Sequence, residues 1–183
     1  MEKFGKSQPV KRVEDTRFLT GQGRYVDDIV PEGALRAYFL RSPVAHAVLK
    51  GIDVSAALEA PGVHAVITQA DLEEAGLDAQ MTYTCAPNRD GTQGAAPKRP
   101  LMAEDRLRFV GEAVAMIVAD TLEQAKDAAE LVEIDYDELS THMEIGAGGE
   151  AIHSEAPDNR AYDYGLGDEA ATNAAFETAA KVV

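Results

Sequence analysis

Cys85 and the four histidines, His46, His64, His142 and His153, carry the softest donors in the chain, and their spacing decides what they can do. No two of them stand at i+3 or i+4, and none has a second ligand at metal-binding distance along the sequence, so there is no zinc pattern. His46 and His64 fall in apolar, strand-like runs, where a hydrogen-bonded structural imidazole is the stronger reading. A catalytic thiolate needs a neighbouring base or cation to lower its pKa. Nothing near Cys85 supplies one, so it reads as a free loop thiol, and a single cysteine excludes a disulfide framework. Gly21-x-Gly23 has the look of a dinucleotide turn, but the third glycine would fall at Val26, no strand precedes it and no helix follows. A turn or a close backbone approach fits better. Gly91-x-x-Gly94 lacks the Gly-Lys-Ser/Thr of a phosphate loop, and no Gly-x-Ser-x-Gly nucleophile elbow is present. Glu133, Asp135, Asp137 and Glu138 follow strand alternation and read as a solvated face. Asp27-Asp28 could pair with a cation or an arginine. No constellation here carries catalysis by itself.

The densest segment is Arg12 to Ile29, which holds charges, two glycines and two aromatics without helical or strand periodicity. Basic residues gather around it at Lys3, Lys6, Lys11, Arg12, Arg17 and Arg24. The chain as a whole has 17 basic and 32 acidic residues, a net charge of −15. An acidic body repels a phosphate backbone, so nucleic acid is a poor partner. A basic arm on that body suits an acidic protein partner, or stands as a solvated arm with local ion pairs.

Periodicity supplies the elements. After Pro31-Glu32-Gly33, residues 34–41 read as a strand, and His46 to Ile52 as a second. Asp53 or Ser55 can cap a short helix to Ala60, stopped by Pro61-Gly62. Val63 to Thr68 is a β-branched strand, and Thr68-x-x-Asp71 opens a helix through Glu74. Gly76 to Pro100 lacks periodicity and reads as a long loop, a type that tends to be functional or mobile. Val110 to Ala119 is a nearly continuous apolar strand. Thr121-x-x-Gln124 then caps a helix whose Ala125, Ala128, Ala129 and Val132 form one stripe that lets it approach a sheet closely. Val132 to Tyr136 is the next strand. Asp168 to Ala180 forms an Ala-rich helix, and Val182-Val183 reads as the start of another strand.

At 183 residues the chain suits one domain with an arm. No apolar run approaches the ~20 residues that span a bilayer. The first residues have no apolar core of a secretory signal. A cytoplasmic protein is the expectation.

Four blocks in order resemble the opening of the large, molybdenum-carrying subunit of the xanthine dehydrogenase and aldehyde oxidase family, of the aerobic carbon monoxide dehydrogenase type. They are Arg12 to Ile29; Arg41-Ser42-Pro43-Val44-Ala45-His46-Ala47 with Ile52-Asp53 and Pro61 to Val66; Arg99 to Ala103 with Val110 to Ala115 and Ala125 to Leu139; and Gly167-Asp168 with Ala175 to Ala180. The resemblance implies an α+β fold, the α/β hammerhead, with a mixed β-sheet and flanking short helices. It implies a division into an arm (1–30), the hammerhead (31–145), and a linker and helix (146–183) leading toward a molybdopterin-binding domain. Ser140-Thr141 stands where the family continues Leu with Pro, the mark of a diverged member.

Members of this family hydroxylate substrates with oxygen from water at a molybdenum held by molybdopterin cytosine dinucleotide. Electrons leave through two [2Fe–2S] clusters to FAD. In the carbon monoxide dehydrogenase type the clusters sit on a small subunit and FAD on a medium one. The family's Gly-Gly-Gly-Phe-Gly pterin-contact motif and catalytic glutamate fall beyond the equivalent of Val183, so no catalytic, cofactor or metal residue is carried over. The resemblance implies an architectural role, with the rest of the large subunit and the iron–sulfur and FAD subunits as partners and no activity for these residues alone. Arg17, Arg24 and Tyr25 are the candidate subunit contacts, because an arginine's fixed donor fork suits such seams. They serve equally well as clamps on the arm itself. A stand-alone partner-binding or assembly module with a borrowed hammerhead fold is the alternative. A self-contained enzyme built on the 76–100 loop lacks a base, a nucleophile or a ligand set.

Overall fold

The computed structural model describes residues 11–77, 81 and 85–183. The expected basic positions Lys3 and Lys6 lie outside them. The chain forms two units, the first ending at Leu35 and the second running from Arg36 to Val183.

In the first unit, α1 (Asp15–Leu19) is followed by a short 3-10 turn (Val26–Asp28). Asp15 starts the helix by accepting the Arg12 N–H at 3.0 Å. Gly21, at φ +72°, reverses the chain after it; that left-handed conformation is open to glycine and costly for other residues.

The second unit contains β1 (Arg36–Arg41), β2 (Ala47–Asp53), α2 (Ser55–Leu58), β3 (Val63–Thr68), α3 (Gln69–Glu74), β4 (Arg106–Leu107), β5 (Ala113–Ala119), α4 (Leu122–Ala129), β6 (Glu133–Glu138) and α5 (Glu169–Thr178). They make two three-stranded sheets, in the orders β1-β5-β3 and β4-β2-β6. Every described ladder is antiparallel. The mixed sheet therefore resolves into two antiparallel ones, because the strand–helix–strand run β5–α4–β6 carries the chain from one sheet to the other and not between parallel neighbours.

Two cores explain the apolar patterns. Ala115, Ile117 and Ala119 of β5 pack with Val66, Ala57 and the α4 alanines Ala125, Ala128 and Ala129. Val114, on the opposite face of β5, packs with Ala47, Ala103 and Leu107. A strand buried on both faces needs apolar residues at successive positions, which is why β5 reads as a continuous run. Helix α4 opens on the expected capping box: Gln124 N–H donates to Thr121 Oγ1 at 3.2 Å, and Thr121 N–H to Gln124 Oε1 at 3.0 Å. Thr68 N–H donates to Asp71 Oδ2 at 2.7 Å, closing the start of α3. At α2 the cap comes from one residue earlier than the helix boundary suggests, since Asp53 accepts both the N–H and the hydroxyl of Ser55.

The structure differs from expectation in further details. Strand β5 begins at Ala113 and not at Val110, because Gly111 (φ +88°) turns the chain and leaves Val110 exposed. Strand β4, only two residues long, was too short to show a period. Val182 and Val183 lie outside any described strand. The described part of the 76–100 loop includes an isolated bridge, Pro87 with Gln93.

Candidate functional site

The geometry of the arm begins with one aromatic ring. Phe18, near the end of α1, stacks on Tyr25 with centroids 5.5 Å apart and planes 9° from parallel. The Arg17 guanidinium carbon stands 5.3 Å from the Phe18 centroid. Two of the three expected contact residues, Arg17 and Tyr25, are thus joined through Phe18, which the sequence reading did not single out. Arg24 makes no hydrogen bond or ion pair among the described residues.

The backbone between the rings is held locally. Gln22 N–H donates to Arg17 O at 2.8 Å, and Gly21 N–H to Phe18 O at 3.2 Å. A methyl at Gly23 would sit 2.5 Å from Phe18 Cδ1, so the ring occupies the space a side chain would need. A left-handed turn at Gly21 and close approach at Gly23, not phosphate binding, account for Gly21-x-Gly23. Asp28 accepts the Tyr25 N–H at 2.8 Å. It caps its own turn, so the expected arginine pairing is not its described role. Tyr25 remains 66% exposed, and the stack is available to a partner.

In the second unit, the blocks at 41–47 and 110–115 meet. Ser42 N–H donates to Glu112 O at 2.8 Å, and Gly111 N–H donates back to Ser42 O at 2.9 Å. Arg41 donates to Gly111 O at 2.8 Å. The Ser42 hydroxyl donates to Val44 O at 2.7 Å. Glu112 is buried, and its Oε2 accepts the Arg108 N–H at 2.6 Å. Burial pushes the Glu112 carboxyl above the ordinary glutamate value, against the pull of the Arg108 N–H and guanidinium. His153 moves the other way: burial first, then the Arg108 charge, lowers its pKa. Arg108 itself donates to Asp105 at 2.9 Å.

The remaining candidates are structural. His46 is buried and its Nδ1–H donates to Ser140 O at 2.7 Å; His64 pairs with Asp120 at 2.8 Å on the surface. Cys85 is buried, its Sγ 3.8 Å from Ala161 O. Asp135 and Asp137 lie on the solvated face of β6, with Asp137 2.6 Å from Lys50. Among the described residues no three His, Cys, Asp or Glu side chains gather to hold a metal ion. No helix among them is long and apolar enough to cross a membrane.

Known proteins share the fold. Residues 20–140 match the family described as aldehyde oxidase and xanthine dehydrogenase, a/b hammerhead domain. The nicotine 6-hydroxylase large subunit of Paenarthrobacter nicotinovorans is 43% identical over 175 residues, covering 90% of this chain and 20% of that one. A crystal structure of quinoline 2-oxidoreductase from Pseudomonas putida 86 superposes with a TM-score of 0.62 at 42% identity, over 72% of this chain and 16% of that chain. Reconstituted CO dehydrogenase from Oligotropha carboxidovorans gives a TM-score of 0.70 at 34% identity, over 94% of this chain and 22% of that chain. The chain spans about a fifth of the length of the curated relatives it matches. It belongs to the aldehyde oxidase and xanthine dehydrogenase family, whose α/β hammerhead domain it carries.

Proposed function

We propose that this chain is the N-terminal, architectural part of the large subunit of a cytoplasmic molybdenum hydroxylase. The whole enzyme would insert water-derived oxygen into its substrate. The supporting observation is how the polar side chains of the shared blocks are used. Ser42 and Glu112 hold turns and loops in place, as does Asp28, by bonding to nearby backbone N–H or C=O groups. Groups engaged this way set backbone geometry.

The residues present do not fit an iron–sulfur cluster. An iron–sulfur cluster is held by several cysteine thiolates, and the chain has one cysteine, buried. No metal-ligand cluster stands among the described residues. No chemical step is therefore assigned to these side chains; molybdopterin, the two [2Fe–2S] clusters and FAD would be carried by other domains and subunits. The division at residues 30 and 145 is retained as the working organisation, with the last segment leading toward the molybdopterin-binding domain.

Within this reading, the Arg17–Phe18–Tyr25 stack and Arg24 form the seam with the iron–sulfur subunit. The test replaces Arg17 and Arg24 with Ala in the assembled large subunit and measures its affinity for that subunit. Weakened association at unchanged thermal stability is the expected result. Unchanged affinity with lowered stability would mean that the arginines only clamp the arm.

A further inference from the structure

The 76–100 loop, which the sequence marks as functional or mobile, has a partner within the chain. Its residues 85–95 turn back on themselves through the Pro87–Gln93 bridge, with Asn88 N–H donating to Thr92 O at 2.8 Å. Residues 161–163, shortly before α5, lie along this turn. Arg89 N–H donates to Asp163 O at 2.8 Å, and Ala95 N–H to Ala161 O at 2.7 Å. Asp163 N–H donates in return to Asn88 Oδ1 at 2.8 Å. The segment joins the turn mainly through backbone groups, in the way a strand adds to an edge. None of these bonds reaches a strand of either sheet.

Two glycines mark how close the approach is. Neither Gly94 nor Gly165 has a left-handed φ, so conformational freedom does not explain them. A methyl at Gly94 would stand 2.7 Å from Ala86 O and 2.8 Å from Ala161 O, and one at Gly165 2.7 Å from Arg89 Nε. The arginine spans both parts. Its Nε is 3.4 Å from Asp163 Oδ1, and its Nη1 is 3.4 Å from Oε2 of Glu169, in the first turn of α5. Exposed ion pairs contribute little energy, so the backbone bonds hold the two parts together and Arg89 extends that hold to the helix. Helix α5 has no buried residue to fix it by packing.

We propose that residues 85–95 and 161–163 form a latch that opens and closes as one unit, apart from the sheets, and that sets the direction of α5 through Arg89. Residues 161–163 are exposed, and within 85–95 only Cys85 and Gly94 are buried. Segments with so few buried apolar side chains open at lower free energy than a core. The latch belongs to these residues whether or not a further domain follows, so its failure leaves the architectural reading standing.

Amide hydrogen exchange of this 183-residue chain, followed residue by residue by NMR, tests it. Gly94→Ala drives a methyl between Ala86 O and Ala161 O. The expected result is that the Arg89, Ala95 and Asp163 amides exchange several-fold faster, by a common factor, while those of β5 do not change. Asn88→Ala adds no bulk and removes the acceptor of the Asp163 N–H, yet it should speed the Arg89 and Ala95 amides as well. Gly51→Ala, at a glycine with nothing within 4 Å, should alter none of the three. Arg89→Ala should lower the order of α5 in amide relaxation. Unchanged exchange in Gly94→Ala overturns the latch. Acceleration of Asp163 alone in Asn88→Ala, or acceleration shared with β5, overturns the single unit. Undiminished order of α5 in Arg89→Ala overturns the arginine's part.

Discussion

The buried carboxylate of Glu112 accepts the backbone N–H of Arg108 at 2.6 Å across the turn they flank. One side chain thereby fixes the entry to β5. Replacing it with Ala leaves that N–H without its partner and is expected to cost about 1–3 kcal/mol of stability, measured by urea unfolding. Glu112→Gln keeps an acceptor and should cost less. The sign of the pH effect follows from the raised pKa. The folded state binds the proton more tightly than the unfolded one, so stability declines as pH rises from the ordinary glutamate value up to the raised one. In Glu112→Gln that part of the decline should vanish.

His153 has the opposite slope. Its lowered pKa means the unfolded chain takes up a proton first on acidification. Stability should fall as pH drops from the ordinary histidine value to the lowered one, and be fully retained above. His153→Asn should flatten the curve in that window; an unchanged curve would show that His153 titrates alike in both states.

The arm gives a contrast between two glycines two residues apart. Gly23→Ala places a methyl against the Phe18 ring, which can swing aside. The expected outcome is loss of the near-ultraviolet circular dichroism of the Phe18–Tyr25 stack with little change in melting temperature. Gly21→Ala meets no neighbour but must hold φ +72°. It should leave the stack intact and cost about 1–2 kcal/mol through backbone strain.

Helix α4 can be weakened from its end or from its face. Thr121→Ala removes the cap on Gln124 N–H and is expected to cost about 0.5–2 kcal/mol. Ala128→Leu forces a larger side chain into a fully buried site against the first core, at about 1–3 kcal/mol. Thermal unfolding of the two variants and of the double variant would check both.

Helix α4, strand β5 and the two capping boxes were legible because their signals are local: a period, a stripe of alanines, a hydroxyl three residues from a carboxylate or amide. The roles of Phe18 and Glu112 were not. Phe18 meets Tyr25 only because the Gly21 turn folds the chain back, and a turn's path is not written in a hydrophobic period. Glu112 carries the composition of a surface residue, and only its neighbours bury it. Asp28 reads as a partner for a cation, yet the nearest donor is its own turn's N–H. Two of the family blocks do meet in space, since Ser42 comes from one and Glu112 from another.

Strand β5 sits between β1 and β3, pairing with both, and this sets the order in which the domain can form. Neither β1 nor β3 has its sheet partner until β5 has left the ribosome, and closing such distant ladders is slow compared with local structure. During synthesis Tyr38, Leu40, Val63 and Val66 therefore wait without a core, at the stage when nascent chains are most prone to misassociate. The β1-β5-β3 sheet can close only once its central strand arrives, and the β4-β2-β6 sheet waits longer still, for β6.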